Sequence, residues 1–285
     1  MIIDKLFDEV EKKGNVCVGL DTHMDYIPQE MKDEYGDISE LIFQFNKKVI
    51  DCTYDLVAIY KLQIAYYESY GIEGLLAYKK TAEYLRAIDA LSIGDIKRGD
   101  ISSTASMYAK AHFEGDFETD FITLNPYMGF DSITPYLSYL ESGEKGLFVL
   151  LRTSNPGAKD IEYLDVEGES LYYHVGDKLE EMAKAYKGKC GYSSLGAVVG
   201  GTHTDEAIEI RERYKDLYFL IPGYGAQGAG GQDVKLYLNN KNGGIINSSR
   251  GIIKAYMDYS DGEKKFEYYT REAVLKMRED IGYEG

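Results

Sequence analysis

Hydrophobic residues recur along the chain as short, nearly continuous runs that are separated by amphipathic stretches. Eight of these runs are predicted to be strands, at 15–21, 56–61, 91–97, 121–125, 146–152, 196–200, 217–222 and 243–249. A strand that is buried on both faces gives a continuous apolar run, whereas a strand with one solvated face alternates apolar and polar residues. The pattern therefore predicts a parallel sheet that is covered on both faces.

The stretches between the strands have helical spacing of their apolar residues. Helices are predicted at 39–52, 72–88, 101–113, 132–140, 170–186, 205–214, 251–257 and 264–281. Eight strand–helix units in this length favour a TIM (β/α)8 barrel, one domain over residues 1–285, above an open doubly wound sheet. Surface insertions are predicted near 127–145 and 155–175. No GxGxxG motif follows the first strand, which disfavours dinucleotide binding.

The composition of the chain indicates which binding partners and which cellular compartment to expect. The formal net charge of −16 argues against a nucleic-acid partner, because phosphate would be repelled. No apolar run approaches a membrane span, so we expect no membrane segment. Residues 1–5 show no basic region followed by an apolar stretch, so we expect no signal peptide. Three scattered cysteines without a CxxC pair are typical of reduced thiols, so a cytoplasmic location is expected.

The densest group of charges lies at the end of the third predicted strand. Asp95, Lys97, Arg98 and Asp100 fall within six residues. Side chains at i and i+2 of a strand share a face, so Asp95 and Lys97 should project together, and Arg98 should point the other way into solvent. A purely structural interpretation is a strand end with an ion pair, followed by Asp100 as a helix cap.

Polar residues also follow other predicted strands. Asp21 ends the first strand and Lys61 the second, while Ser154 follows the fifth and Arg250 the eighth. In parallel barrels the active site lies at the carboxyl ends of the strands. The sequence therefore predicts one site that is surrounded by these side chains.

A glycine-rich loop at 222–233 and the Ser-Arg-Gly segment at 249–251 predict a phosphate site after the seventh and eighth strands. Backbone N–H groups at a helix start and a bidentate arginine are suited to bind phosphate. Gln227 and Gln232 both lie in this loop, and Gln227 is preferred for its Gly-Ala-Gln-Gly context. A mobile loop with a surface arginine is the alternative. The four histidines lack metal-binding spacing, so no metal is expected.

The motif Asp95-x-Lys97-x-x-Asp100-Ile101 resembles the signature of the orotidine 5′-phosphate decarboxylase family. The stretches 19–21, 60–63, 153–157 and 249–251 fit the same family, in its longer bacterial branch, so the resemblance covers most of the chain. Related barrel enzymes that act on sugar phosphates share the Asp-x-Lys-x-x-Asp element. The Lys61 segment and the Ser-Asn-Pro-Gly run are what distinguish the decarboxylase.

The resemblance implies conversion of orotidine 5′-phosphate to UMP and CO2 in pyrimidine biosynthesis, without a cofactor. Lys97 would protonate C6 of the pyrimidine, and Asp95 would lie against the leaving carboxylate. Lys61 and Asp100 would complete a chain of alternating charges.

The resemblance also assigns residues to the rest of the substrate. Asp21 would bind a ribose hydroxyl, and Ser154 the pyrimidine amide edge. The phosphate would be held by Gln227, Arg250 and Gly251. Asp100 and Thr104 would reach the site of a second subunit, which implies a homodimer.

Two alternatives remain at the level of sequence. One is a sugar-phosphate aldolase or decarboxylase on the same barrel, with Mg²⁺ held by acidic strand ends. The other is a catalytically idle barrel that binds nucleotides or a protein partner. The idle barrel predicts the loss of a charged strand-end residue, and none is missing. The sequence assigns no role to the acidic segment at 158–169.

Overall fold

The computed structural model describes residues 1–202, 204–225 and 228–283. Eight parallel strands close into a barrel in the order β1-β10-β9-β8-β5-β4-β3-β2. Each predicted strand agrees with an observed one to within three residues at either end, and the predicted TIM (β/α)8 barrel is confirmed. The barrel strands are β1 (Val16–Gly19), β2 (Ile59–Gln63), β3 (Ser92–Arg98), β4 (Phe121–Leu124), β5 (Gly146–Arg152), β8 (Leu195–Val199), β9 (Phe219–Pro222) and β10 (Gly244–Ser248).

Helices connect the strands and cover the outside of the barrel. They are α1 (Ile2–Lys13), α2 (Gln29–Glu34), α3 (Ile38–Thr53), α4 (Ile64–Glu68), α5 (Gly71–Ala87), α6 (Ser102–Phe113), α7 (Thr134–Glu141), α8 (Leu171–Ala183), α9 (Thr204–Arg213), α10 (Gly231–Lys235), α11 (Arg250–Ile253) and α12 (Phe266–Asp280). The eight predicted helices are present, and α1, α2, α4 and α10 were not predicted. Short 3-10 turns lie at Met24–Tyr26, Gly115–Phe117, Phe130–Ser132, Pro156–Asp160, Lys184–Tyr186, Ala255–Asp258 and Glu263–Lys265.

The helix α1 closes the amino-terminal end of the barrel. Its buried side chains Ile2, Ile3, Leu6 and Val10 pack in one cluster with apolar residues from the barrel interior, among them Phe148. This end is filled with apolar atoms. The opposite end, where the strands finish, is therefore the one that can hold a polar site.

The two predicted insertions contain little structure beyond the barrel plan. The segment after β4 holds the Phe130–Ser132 turn and α7, which is the helix that follows β4 in the alternating order. The segment after β5 holds the Pro156–Asp160 turn and an antiparallel ribbon of β6 (Asp165–Val166) and β7 (Glu169–Ser170). In the part of the chain that the structure describes, no helix combines the length and the hydropathy needed to cross a membrane.

Candidate active site

Four charged side chains alternate in sign at the carboxyl ends of β1, β2 and β3. The Lys61 Nζ atom lies 3.3 Å from Asp21 Oδ1 and 3.1 Å from Asp95 Oδ2. The Lys97 Nζ atom lies 2.6 Å from Asp95 Oδ1. The strand register explains why these side chains lie close together. Gly19, two residues before Asp21, is paired with Lys61, and Gln63, two residues after Lys61, is paired with Asp95. We call Asp21, Lys61, Asp95 and Lys97 the charge array.

Lys61 and Asp95 are the buried members of the charge array, and each keeps its charge because of its charged neighbours. The side chains of Lys61 and Asp95 are 5% and 8% exposed. Burial disfavours the charged Asp95 carboxylate, but Lys61 and Lys97 outweigh that effect and hold the pKa of Asp95 well below its usual range. Burial likewise disfavours the Lys61 ammonium, and Asp21 and Asp95 reverse this and raise its pKa above the usual range. Both groups are therefore charged at neutral pH.

Two uncharged side chains complete the surroundings of Asp95. Gln63 Nε2 donates to Asp95 Oδ2 at 2.9 Å, and Thr123 Oγ1 donates to Asp95 Oδ1 at 2.8 Å. Sequence reasoning assigned neither residue a role. Gln63 could have been found from its position two residues after Lys61 on the same strand. Thr123 sits inside an apolar strand, where a single hydroxyl gives no signal in the sequence.

The charge array forms one wall of a cavity of about 450 Å3 at the mouth of the barrel. Ser154, Thr153 and Asn155 line it from the end of β5, and Asn247 lines it from β10. Leu150, Val198 and Leu220 give it an apolar side. The cavity therefore combines charged, hydrogen-bonding and apolar groups, as expected of a site for a small organic ligand.

The loop that carries Ser154 is held by the acidic segment that follows it. Glu162 accepts hydrogen bonds from the Thr153 backbone N–H and hydroxyl, at 2.8 and 2.6 Å. Beneath the loop, the fully buried Arg152 donates to Tyr163 Oη at 3.1 Å and to Glu206 at 3.0 Å. The segment after β5 therefore fixes the position of one wall of the cavity.

Glycine is required where the Ser154 loop passes the end of β8. A Cβ atom on Gly200 would lie 2.9 Å from the Ser154 backbone nitrogen and Cβ, closer than carbon atoms pack. Gly19 plays the same part at the end of β1, where an added Cβ would collide with Ser249 Oγ. These two positions let neighbouring strand ends converge on the cavity.

Asp100 lies outside the charge array. It is half-buried, and its Oδ1 atom accepts a hydrogen bond from the backbone N–H of Ile101 at 2.8 Å. The alternative interpretation of Asp100 as a helix cap is wrong, because α6 has Ile101 at its N-cap position. Within this chain Asp21, and not Asp100, is the second carboxylate on Lys61.

Arg98 is only partly solvated, although the sequence predicted a solvated side chain. Its side chain is 27% exposed and pairs with Glu68 at 2.7 Å. The guanidinium carbon lies 5.5 Å from the centre of the Tyr108 ring. Arg98 does point away from Asp95, and the helices on the outer surface of the barrel enclose it.

The predicted phosphate residues lie beside the cavity. Arg250 begins α11 after the N-cap Ser249, and both Arg250 and Gly251 are exposed. Gly251 lines a neighbouring cavity of about 310 Å3 together with Tyr224 and Ser248. Gln227 lies outside the described residues, whereas Gln232 lies in α10. Thr104 is exposed on the first turn of α6.

The acidic residues at the strand ends are already partnered by ammonium groups. Lys61 lies between Asp21 and Asp95, the two carboxylates that a divalent cation would need. Among residues 1–202, 204–225 and 228–283, no group of three His, Cys, Asp or Glu side chains is arranged to hold a metal ion.

A parallel barrel with its charged residues collected at the carboxyl ends of the strands defines an enzyme of the TIM-barrel class. The model of the orotidine 5′-phosphate decarboxylase / HUMPS family matches residues 14–264. The chain belongs to this family.

Individual relatives place the chain more closely. It is 72% identical over 283 residues to the orotidine 5′-phosphate decarboxylase of Petrotoga mobilis, with 99% of this chain and 98% of the relative covered. It is 58% identical to the enzyme of the same name from Clostridium novyi, with 100% and 99% covered. The solved structure of Leishmania donovani OMP decarboxylase superposes with a TM-score of 0.74 at 29% identity, covering 96% of this chain and 98% of that one. The prediction of a carboxy-lyase of this family is confirmed.

Proposed function

We propose that this chain removes the C6 carboxylate of orotidine 5′-phosphate by direct decarboxylation, with Lys97 as the acid that protonates C6. The observation that supports this most strongly is the charge array. It holds an ionised carboxylate, Asp95, in contact with an ammonium group, Lys97, that is itself 44% exposed toward the cavity mouth. Substrate binding would bring the scissile carboxylate and its ring carbon to this pair.

The bond changes require only groups of this chain. The bond between C6 and the carboxylate breaks, its electron pair stays on C6, and CO2 leaves. The Lys97 ammonium then gives one proton to C6, and UMP is formed. Developing negative charge on C6 is stabilised by an ammonium that the protein has already oriented, and such preorganised stabilisation is usually the largest single contribution to catalysis.

Asp95 has two effects on this step. Its Oδ1 atom holds the Lys97 ammonium in place through their contact at 2.6 Å. Asp95 also disfavours a bound substrate carboxylate more than the transition state, in which the negative charge leaves the carboxylate and collects on C6 while CO2 departs as a neutral molecule. Lys61 would hold Asp95 in place through their contact at 3.1 Å.

Asp21 and Ser154 are proposed to orient the nucleoside. Both line the same cavity as the charge array, Asp21 beside Lys61 and Ser154 on the opposite wall. Asp21 is suited to accept a hydrogen bond from a ribose hydroxyl, and Ser154 to bond the amide edge of the pyrimidine. The two contacts would hold C6 above Lys97.

Arg250, Gly251 and Gln227 are proposed to bind the phosphate. Arg250 is exposed beside the cavity at the end of β10, where a guanidinium can bind phosphate in a bidentate manner. Phosphate binding far from C6 contributes to catalysis when it is used to orient the substrate. The choice between Gln227 and Gln232 is made by substituting each in turn.

We propose further that the enzyme is a cytoplasmic homodimer in which Asp100 and Thr104 reach the partner's cavity. Asp100 is not bonded to the charge array of its own chain, and Thr104 is exposed. Exposed apolar residues lie on the same part of the surface, with Ile101 44% and Met107 62% exposed. All three cysteines are free thiols, in agreement with a reducing compartment.

The test of the proposed reaction is the loss of orotidylate absorbance with the purified chain in the presence of EDTA. Turnover at an undiminished rate is expected. No turnover, or turnover that EDTA abolishes, would contradict the proposal, and the second result would point to a metal-dependent barrel enzyme.

The test of the shared site is the mixing of two inactive variants, Lys97→Ala and Asp100→Ala. In a mixed dimer, one cavity has a wild-type Lys97 from one chain and a wild-type Asp100 from the other. Mixing should therefore restore activity that neither variant has alone. Two variants that stay inactive after mixing and subunit exchange would show that Asp100 does not act across an interface.

A further inference from the structure

We propose that Thr123 is a positioning residue for decarboxylation: its hydroxyl fixes both Asp95 and the backbone of Lys97. This inference rests on the proposed role of Lys97 as the acid. Thr123 is fully buried, and the lining of the cavity does not include it, so it acts through its neighbours and not on the substrate.

The strand register places Thr123 alone opposite the catalytic segment. Gly94 on β3 pairs with Ile122 on β4, and the next pair is Arg98 with Leu124. Between these pairs β3 therefore has three residues, 95 to 97, whereas β4 has only Thr123. The extra residues form a bulge, and bulges leave backbone groups without their usual partner in the sheet.

The backbone at this bulge takes an unfavourable conformation. Lys97 has φ of +46°, in the left-handed region that residues with a side chain rarely adopt. Such a conformation is costly for a residue with a side chain, so the surrounding structure must hold it in place. The Lys97 backbone N–H donates to Thr123 Oγ1 at 3.0 Å, where a regular strand would offer a carbonyl oxygen.

The same hydroxyl then continues to the carboxylate. Thr123 Oγ1 donates to Asp95 Oδ1 at 2.8 Å, and Lys97 Nζ lies 2.6 Å from that same oxygen atom. One hydroxyl thus accepts from the backbone of Lys97 and donates to the group that aims its ammonium. Loss of the hydroxyl would remove the hydrogen bond to the Lys97 backbone and the hydrogen bond to Asp95 at the same time. The Lys97 backbone and the carboxylate that contacts its ammonium would both be less well fixed, so the rate of decarboxylation should fall.

The first experiment compares Thr123→Val, which keeps the shape but not the hydroxyl, with Thr123→Ser, which keeps the hydroxyl. Steady-state decarboxylation of orotidine 5′-phosphate should show kcat lowered by roughly 10- to 100-fold in Thr123→Val, the loss expected for a hydrogen bond to a charged group. KM should change less than about threefold, because Thr123 does not touch the substrate. Thr123→Ser should restore kcat to within about threefold of the wild type.

Thr119→Val is the matched control. Thr119 is also fully buried, and its hydroxyl bonds backbone groups: it accepts from the N–H of Gly94 on β3 at 3.2 Å and donates to the carbonyl of Phe121 at 2.9 Å. We expect it to lower the melting temperature while kcat stays unchanged. If Thr123→Val does not fold, Thr123→Ala compared with Thr123→Ser gives the same comparison.

The outcomes separate this inference from the proposed reaction. A wild-type chain without decarboxylase activity would overturn the proposed function itself. An active wild type with unchanged kcat in Thr123→Val, or an equal loss in Thr123→Ser, would overturn the positioning role only. A loss of kcat in Thr119→Val as large as in Thr123→Val would show a general packing effect and would also overturn it.

Discussion

Lys61 and Lys97 contact the same carboxylate, yet their removal should have very different effects on stability. The Lys61 side chain is 5% exposed and lies between two carboxylates, whereas the Lys97 side chain is 44% exposed and touches one. Replacing Lys61 with methionine leaves Asp21 and Asp95 close together without the cation that offsets their burial.

The magnitude follows from the burial of the pairs. Removal of one partner from a buried ion pair costs about 3–5 kcal/mol, because the remaining charge is desolvated and unpaired. An exposed pair contributes at most about 1 kcal/mol. We therefore expect Lys61→Met to lose about 3–5 kcal/mol of unfolding free energy. Lys97→Met removes a half-exposed ammonium and leaves the buried Asp95 paired with Lys61, so it should lose less than about 1 kcal/mol.

The assay is urea unfolding at pH 7, followed by circular dichroism at one fixed protein concentration. Adding Asp95→Asn to Lys61→Met should recover part of the loss, because it removes one of the two carboxylates that Lys61 had contacted. If Lys61→Met is no more destabilising than Lys97→Met, the inference that Lys61 offsets the burial of Asp21 and Asp95 is refuted.

Two further changes give results of definite sign. Arg250→Ala should lower kcat/KM for orotidine 5′-phosphate by roughly 10- to 150-fold, from the about 1.5–3 kcal/mol of a charge-assisted hydrogen bond, and an unchanged kcat/KM would refute the phosphate assignment. Burial and the nearby Arg98 lower the pKa of His112 to about 4, against 6.5 for the ordinary group. The unfolded chain therefore binds this proton between pH 6.5 and 4 while the folded chain does not, so folding stability should fall by about 3 kcal/mol over that range as the pH is lowered. His112→Gln should remove that part of the acid dependence in thermal melts, and equal slopes in both proteins would contradict it.

Much of the fold could be predicted because the barrel strands are buried on both faces. The run at 146–152 is free of polar residues up to its last residue, Arg152, and β5 has the same bounds. The strand ends could be predicted for the same reason, since Asp21, Lys61 and Asp95 are charged residues directly after apolar runs. The parallel register then brings them together, which is a property of the barrel and not of any one segment.

The rest depends on contacts between distant segments. The helix α1 was not predicted although Ile2, Ile3, Leu6 and Val10 have helical spacing, because no strand precedes it in the alternating pattern. The bulge at Lys97 depends on the register between β3 and β4, which the residues of β3 alone do not determine. Arg98 is enclosed by Glu68 and Tyr108, which come from α4 and α6 on either side of β3.

The account depends most on Lys97 as the proton donor to C6. The direct measurement is the turnover of orotidine 5′-phosphate by Lys97→Ala beside the wild type, both in EDTA and both with unfolding transitions that show an intact fold. We expect the wild type to be active and the variant to be slower by at least about 1,000-fold, within the range for loss of a general acid. A folded Lys97→Ala protein that retains a tenth of the wild-type rate would contradict the assignment.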